Sequence, residues 1–211
     1  MSGRCLIIAG GAYCEIPEEM REAEYVIACD RGYLWAERMG IVPDLILGDF
    51  DSAPVPVTPV PLERFPSEKD DTDTMLAARR AAEKGYREVN IGCCFGGRLD
   101  HTLANLQTAG WLAERGIRVC LSGEDTLARA VPEGTWRIPR REGWSLSLFA
   151  LTDRCSDVTI RGTKYEGAHL TLTGTYPLGV SNSWREDAAE ITVGQGILLI
   201  IQSRLKEGEH I

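Results

Sequence analysis

The stretch LILGDFDS, residues 45–52, sets the terms of the fold. Leu45, Ile46 and Leu47 are consecutive apolar residues ending on Gly48, a run that suits the buried end of a strand. Asp49 and Asp51 follow, one residue apart. Side chains i and i+2 of an extended chain share one side. Two like charges are therefore brought together where a strand ends, and they need a counter-charge.

Runs like 45–47 recur at 5–9, 25–29, 89–93 and 119–121. Each is short, rich in Val, Ile and Leu, and apolar on successive residues, as strands buried on both faces of a parallel sheet are. Helix signals lie between them. Pro17 with Glu18 and Glu19 suits a first helical turn. Residues 33–39 form a second helix closed by Gly40, and 72–84 a third, with Asp73 in its first turn and Gly85 behind it. A fourth spans 99–115, with Leu99, Leu103, Leu106 and Ala113 predicted as its apolar face. This alternation predicts an α/β fold with an open, mostly parallel sheet.

After Gly123 the pattern changes. Residues 124–143 read as a polar connection with one short strand at 135–138. From Trp144 onward only strands follow, with alternation clear in Leu146, Leu148 and Ala150 and in Val158 and Ile160. Short strands separated by glycine-containing turns predict a small all-β sandwich or barrel. The expected domains are 1–130, α/β and catalytic, and 131–211, the β-sandwich. The proline-rich segment 53–61 is expected to be extended.

Composition narrows the function. The formal net charge is −8 over 211 residues, a poor match for nucleic acid or an anionic membrane. No apolar stretch approaches membrane-spanning length. The seven cysteines include no Cys-x-x-Cys pair and sit mostly in apolar runs. Free buried thiols in a reducing cytoplasm are the expectation. The turn AGGAYCE lacks the G-x-G-x-x-G spacing, which argues against a nicotinamide-dependent dehydrogenase.

In an open parallel sheet the strand C-termini share one edge, where ligands bind. Asp30 follows the strand at 25–29, and Asp49 and Asp51 follow 45–47. Asp70, Asp71 and Asp73 open the third helix, and Asp100 follows 89–93 after Gly96 and Gly97. An edge with so many carboxylates calls for a hard cation. Magnesium, with carboxylate, water and phosphate oxygens as ligands, fits. Lys69 and Arg98 stand beside the acids as phosphate grips, Arg98 with bidentate geometry. Asp30 and Asp71 are read as further polyphosphate-binding residues. Asp100 and His101 read two ways, as reactive groups or as polar residues of a helix start. In the second domain LGVSNSW, 178–184, also reads two ways. It is a turn with an aromatic plug, or a recognition loop in which Ser181 and Asn182 hydrogen-bond a ring and Trp184 stacks on it.

The ordered set CDRG (29–32), PDLILGDFDS (43–52), FPSEKDDTDTMLA (65–77), GGRLDHTLANL (96–106) and GVSNSW (179–184) resembles bacterial thiamine pyrophosphokinases over nearly the whole chain. The resemblance implies an ATP-binding α/β domain and a thiamine-binding β-sandwich. It also implies a homodimer whose active site is shared between subunits. The implied reaction is magnesium-dependent transfer of the diphosphoryl group of ATP to the thiamine hydroxyl, giving thiamine diphosphate and AMP. Asp49, Asp51 and Asp73 are implied as metal and catalytic residues, Asp100 as a fourth acid of that centre, Lys69 and Arg98 as phosphate-binding, and Ser181 and Asn182 as part of the thiamine pocket. Two departures stand out. Many relatives have Asp-Gly-Gly where this chain has Asp30-Arg31-Gly32, and the tryptophan that animal relatives carry in the last strand is aliphatic here, near Ile200. Two alternatives remain open: a magnesium-dependent nucleotide hydrolase, and a non-catalytic thiamine diphosphate binder.

Overall fold

Strand β1 (Arg4–Ile8) is buried from Cys5 onward, as the unbroken apolar run that follows Arg4 requires. It pairs in parallel with β2 (Tyr25–Cys29) on one side and with β5 (Glu88–Gly92) on the other. Beyond β2 lie β3 (Leu45–Gly48) and β4 (Leu62–Arg64), and beyond β5 lies β6 (Arg118–Ser122), all parallel. The computed structural model describes residues 3–51 and 53–209. The chain divides into two compact units, Met1–Glu124 and Asp125–Ile211.

In the first unit the sheet order is β6-β5-β1-β2-β3-β4. The chain moves outward from β1 to β4, then returns to the other side of β1 for β5 and β6. The gap between β1 and β5 is therefore a topological switch point, where open α/β sheets leave a crevice. The helices are α1 (Glu18–Arg21), α2 (Gly32–Arg38), α3 (Asp73–Glu83) and α4 (Leu99–Glu114). Helix α3 buries Ala77, Ala78 and Ala81, a small-residue face that lets it lie close to the sheet. Its N-cap is Thr72, whose hydroxyl accepts from the Met75 N–H at 3.2 Å.

Helix α4 departs from expectation. It buries Asn105, Thr108, Ala109, Leu112 and Ala113, while Leu99 and Leu103 are 81% and 56% exposed. Of the expected face Ala113 is buried but Leu99 and Leu103 are not, because close packing on a sheet favours small side chains. Strand β4 also escaped the sequence reading, hidden behind the prolines of 53–61.

The second unit holds β7 (Thr126–Val131), β8 (Gly134–Pro139), β9 (Trp144–Ala150), β10 (Arg154–Arg161), β11 (Gly167–Thr173), β12 (Gly179–Asn182), β13 (Ala188–Val193) and β14 (Leu198–Arg204). Strands run antiparallel in the orders β12-β9-β14-β7 and β11-β10-β13-β8. Val131, Ile138, Leu146, Leu148, Cys155, Val158, Leu172, Ile191, Leu198 and Ile200 build the core. The division falls earlier than 130/131, because 126–131 is a strand rather than part of a polar connection. The GVSN segment is likewise strand β12, paired with β9. All seven cysteines are free thiols. Among the described residues, no helix is long and apolar enough to cross a membrane.

Candidate active site

The carboxyl ends of β1, β2, β3 and β5 converge on one cavity of about 500 Å³. Residues Ala9 to Gly11 line it from β1, Cys29 to Arg31 from β2, Asp49 and Asp51 from β3, and Cys94 and Gly96 to Arg98 from the turn after β5. The loop into α3 adds Ser67 and Lys69 to Thr74, and α4 adds His101, Ala104 and Asn105. Its size is that of a small-molecule site.

Backbone contacts hold these ends together. Gly11 N–H donates to the Cys93 carbonyl and Ala12 N–H to the Phe95 carbonyl, both at 2.9 Å. A Cβ on Gly11 would lie 2.5 Å from the Cys93 oxygen, so only glycine permits this approach. Asn105, buried on α4, donates to the Cys94 carbonyl at 2.7 Å and ties the turn after β5 to its helix. Asp30 N–H donates to the Leu47 carbonyl at 2.7 Å. Three non-glycine residues here have left-handed backbone: Asp30 (φ 46°), Phe50 (φ 60°) and Cys93 (φ 53°). Such conformations are costly for residues with a Cβ and cluster at functional sites.

The acids sort into two groups. Carboxylate oxygens of Asp30, Asp49 and Asp51 all lie within 4.8 Å of one another. The Asp51 N–H donates to Asp49 Oδ1 at 3.1 Å, which fixes the bend between the two. Asp73 is not one of this trio. Lys69 stands between the sets, its Nζ 3.2 Å from Asp49 Oδ2 and 2.8 Å from Asp73 Oδ1. Of the expected metal residues, Asp49 and Asp51 thus lie together with Asp30, while Asp73 stands across Lys69 from them. Three hard oxygen donors so close, with like charges, fit a small divalent cation such as magnesium.

Burial raises the Asp49 carboxyl, but the Asp51 N–H and Lys69 outweigh it and hold Asp49 below the usual carboxylate range. Asp73 goes the other way: burial pushes it up, and Lys69 offsets that only in part. Burial lowers Lys69, yet Asp73 and Asp49 overcome it, so the ammonium is held above its ordinary value.

Other expectations change. Asp100 does not join the carboxylate trio. It accepts from Arg98 Nε at 3.1 Å and Nη2 at 2.6 Å, an exposed bidentate pair at the start of α4. The Arg98 bond holds Asp100 below the usual range. Asp71 turns to Arg79 at 2.9 Å while still lining the cavity. Sequence reasoning passed over Arg31 and Asn105 as cavity residues. Both stood in quoted motifs, Arg31 in CDRG and Asn105 in GGRLDHTLANL, but neither was given a role there.

In the second unit Trp184 is 7% exposed, packs in the core and donates from Nε1 to the Ile138 carbonyl at 3.1 Å. Its ring thus sits as a plug in the sandwich core and not as an open face for stacking. Asn182 is buried too. Its Oδ1 accepts from Tyr165 N–H (3.0 Å) and Ser183 N–H (2.9 Å), and its Nδ2 donates to Thr163 Oγ1 (3.1 Å) and the Tyr165 carbonyl (2.8 Å). That is the full capacity of an amide, so Asn182 clamps the 163–165 turn onto β12 and its amide holds no spare bond for a ring. Ser181 stays exposed, with left-handed backbone (φ 59°), its N–H donating to Ser147 Oγ at 3.1 Å.

Fold and site define a class: a parallel α/β sheet with a charged ligand edge, followed in the chain by an antiparallel β-sandwich. The family model described as the thiamin pyrophosphokinase catalytic domain matches residues 16–121, and the vitamin B1 binding domain of the same family matches residues 135–198. The chain belongs to the thiamin pyrophosphokinase family, a family of enzymes. It is 29% identical over 209 residues to the thiamine pyrophosphokinase of Bacillus subtilis (strain 168), covering 93% of this chain and 97% of that one. Among solved structures, thiamine pyrophosphokinase from Bacillus subtilis superposes with a TM-score of 0.85 at 25% identity, over 95% of this chain and 99% of that one. A family protein from Enterococcus faecalis does so with a TM-score of 0.78 at 28% identity, over 96% and 100% of the two chains.

Proposed function

We propose that this chain transfers the diphosphoryl group of ATP to the hydroxyl of thiamine, giving thiamine diphosphate and AMP, with magnesium as the metal. The observation that carries this reading is the Asp30, Asp49 and Asp51 trio beside Lys69 at the carboxyl edge of a parallel sheet. Family membership supplies the acceptor.

Asp30, Asp49 and Asp51 are the residues that would hold magnesium. A bound magnesium ion supplies positive charge against phosphoryl oxygens. The rest falls to the chain's own groups. Lys69, kept protonated by two carboxylates, presents its ammonium to phosphate oxygens. Arg98 offers a planar fork that exchanges Asp100 for phosphate, since both are anionic and the pair is exposed. The glycines at 10, 11, 96 and 97 let a ligand come close to the backbone. The thiamine oxygen attacks the β-phosphorus and AMP departs. Asp73 is better suited than Asp100 to accept the hydroxyl proton, because burial raises its carboxyl whereas Arg98 lowers that of Asp100. Ser181 is the sequence-assigned thiamine contact that remains open to solvent.

The proposal includes a homodimer with a shared site, acting in the cytoplasm. Exposed Leu99 and Leu103 in the first unit, and Tyr176, Leu178 and Val180 in the second, supply apolar surface suited to a subunit contact. Incubation with ATP, magnesium and thiamine, following AMP and thiamine diphosphate together, tests the reaction. Equal amounts that depend on thiamine are expected. AMP or phosphate release without thiamine would make the chain a hydrolase, and tight thiamine diphosphate binding with no AMP would make it a binder.

A further inference from the structure

The lysine and arginine side chains that line the cavity are Arg31, Lys69 and Arg98. Lys69 lies between Asp49 and Asp73, and Arg98 grips Asp100. The hydrogen bonds of Arg31 run to neutral oxygens instead. Its Nε donates to the Gly10 carbonyl at 2.8 Å and its Nη2 to the Gly11 carbonyl at 3.3 Å. Its stem packs where Gly10 has no side chain: a Cβ there would sit 3.4 Å from Arg31 Cγ. The guanidinium carbon lies 5.7 Å from the centre of the Trp35 ring, and Trp35 in turn donates to the Gly11 carbonyl at 3.1 Å.

Stem, fork and flank of Arg31 are thus fixed by the protein before any ligand arrives. A guanidinium carries five N–H donors, and the two carbonyls use only part of them. Neutral carbonyls satisfy hydrogen bonds without cancelling the charge. A pre-ordered cation with spare donors, facing a cavity at a switch point, is suited to an anionic ligand and needs little further ordering to bind one.

We infer that Arg31 is a binding and specificity residue for the polyphosphate of the nucleotide, holding phosphate oxygens against the Gly10–Gly11 turn. The inference rests on the proposed ATP-dependent reaction. It separates two jobs at the edge: the carboxylate trio serves the metal, while Arg31 distinguishes a polyphosphate nucleotide from an uncharged nucleoside.

The test is calorimetric titration of ATP with magnesium, and of adenosine, into the full chain and its variants. Arg31→Met keeps the stem and removes the fork; loss of charge-assisted hydrogen bonds is expected to weaken ATP binding by about tenfold or more while adenosine binding is unchanged. In turnover, KM for ATP should rise more than kcat falls, and KM for thiamine should hold. Arg31→Gln retains an amide donor for the turn and guards against a folding failure in Arg31→Met; the same ATP-selective loss is expected. ATP affinity within twofold of wild type in a folded variant would overturn the inference. So would equal losses for ATP and adenosine, which would reduce Arg31 to a support for the loop. Failure of the wild-type chain to bind ATP at all would overturn the proposed function, and this inference with it.

Discussion

Three aspartates with carboxylate oxygens within 4.8 Å of one another set like charges side by side at the edge. Asp51→Asn is therefore expected to lower turnover on the order of a hundredfold or more, as loss of a preorganised charged group at a reacting centre does. The same change should raise the melting temperature slightly in metal-free buffer, because it removes a like charge from the edge. Steady-state rates and thermal melts with a chelator check both halves. Lys69 gives a pH-dependent prediction. Burial sets the Asp73 pKa above its unfolded value. Its stabilising contribution is therefore full below the unfolded carboxylate range and is lost as pH rises through the folded value. Lys69 opposes that loss. In Lys69→Met the Asp73 pKa should climb further, so the variant should match wild type best in acid and fall behind as pH rises. A deficit of roughly 1–3 kcal/mol at pH 8, shrinking at pH 5, is expected from denaturant titrations.

At the scale of elements, the geometry of the edge depends on how closely strand ends approach and how helices begin. Gly11→Ala would force a Cβ to 2.5 Å from the Cys93 carbonyl, a backbone atom that cannot swing away. An overpacking cost of about 1–3 kcal/mol is expected, with loss of nucleotide binding as the turn after β5 shifts. Thr72→Ala removes the cap of α3 and should cost about 1 kcal/mol in urea unfolding. These elements were mostly legible in the sequence. Apolar runs marked β1, β2, β3, β5 and β6, and LILGDFDS announced two of the three clustered acids. The third, Asp30, was read as a phosphate-binding residue and not grouped with Asp49 and Asp51, since nothing in one dimension says which carboxylates share a corner. Asp100 pairs with Arg98, two residues away, and a local ion pair looks in sequence like one more acid and one more base. Trp184 and Asn182 could not be resolved from sequence: their partners lie at Ile138, Thr163 and Tyr165, and only the fold of the sandwich brings those near.

For the whole molecule, the metal site should be visible as a stability effect. A cation that binds the folded chain and not the unfolded one stabilises it by mass action, about 2.7 kcal/mol at a hundredfold excess over its Kd. Magnesium should therefore raise the melting temperature of wild type and leave that of Asp51→Asn nearly unmoved. No shift in wild type would argue against a cation at the trio. Sedimentation should find a dimer, and Leu103→Glu, which puts a charge on the exposed face of α4, should shift it toward monomer if that face is buried in the contact.

The left-handed backbone at Asp30 and Cys93 has an evolutionary corollary. Glycine at 30 would relax the chain there, whereas Cys93 is fully buried and glycine in its place would exchange backbone strain for a cavity. A duplicate of this gene freed from the need for turnover is expected to drift to glycine at 30 early and to keep Cys93, becoming sturdier as it becomes inert. Libraries screened for thermostability alone should take the same route.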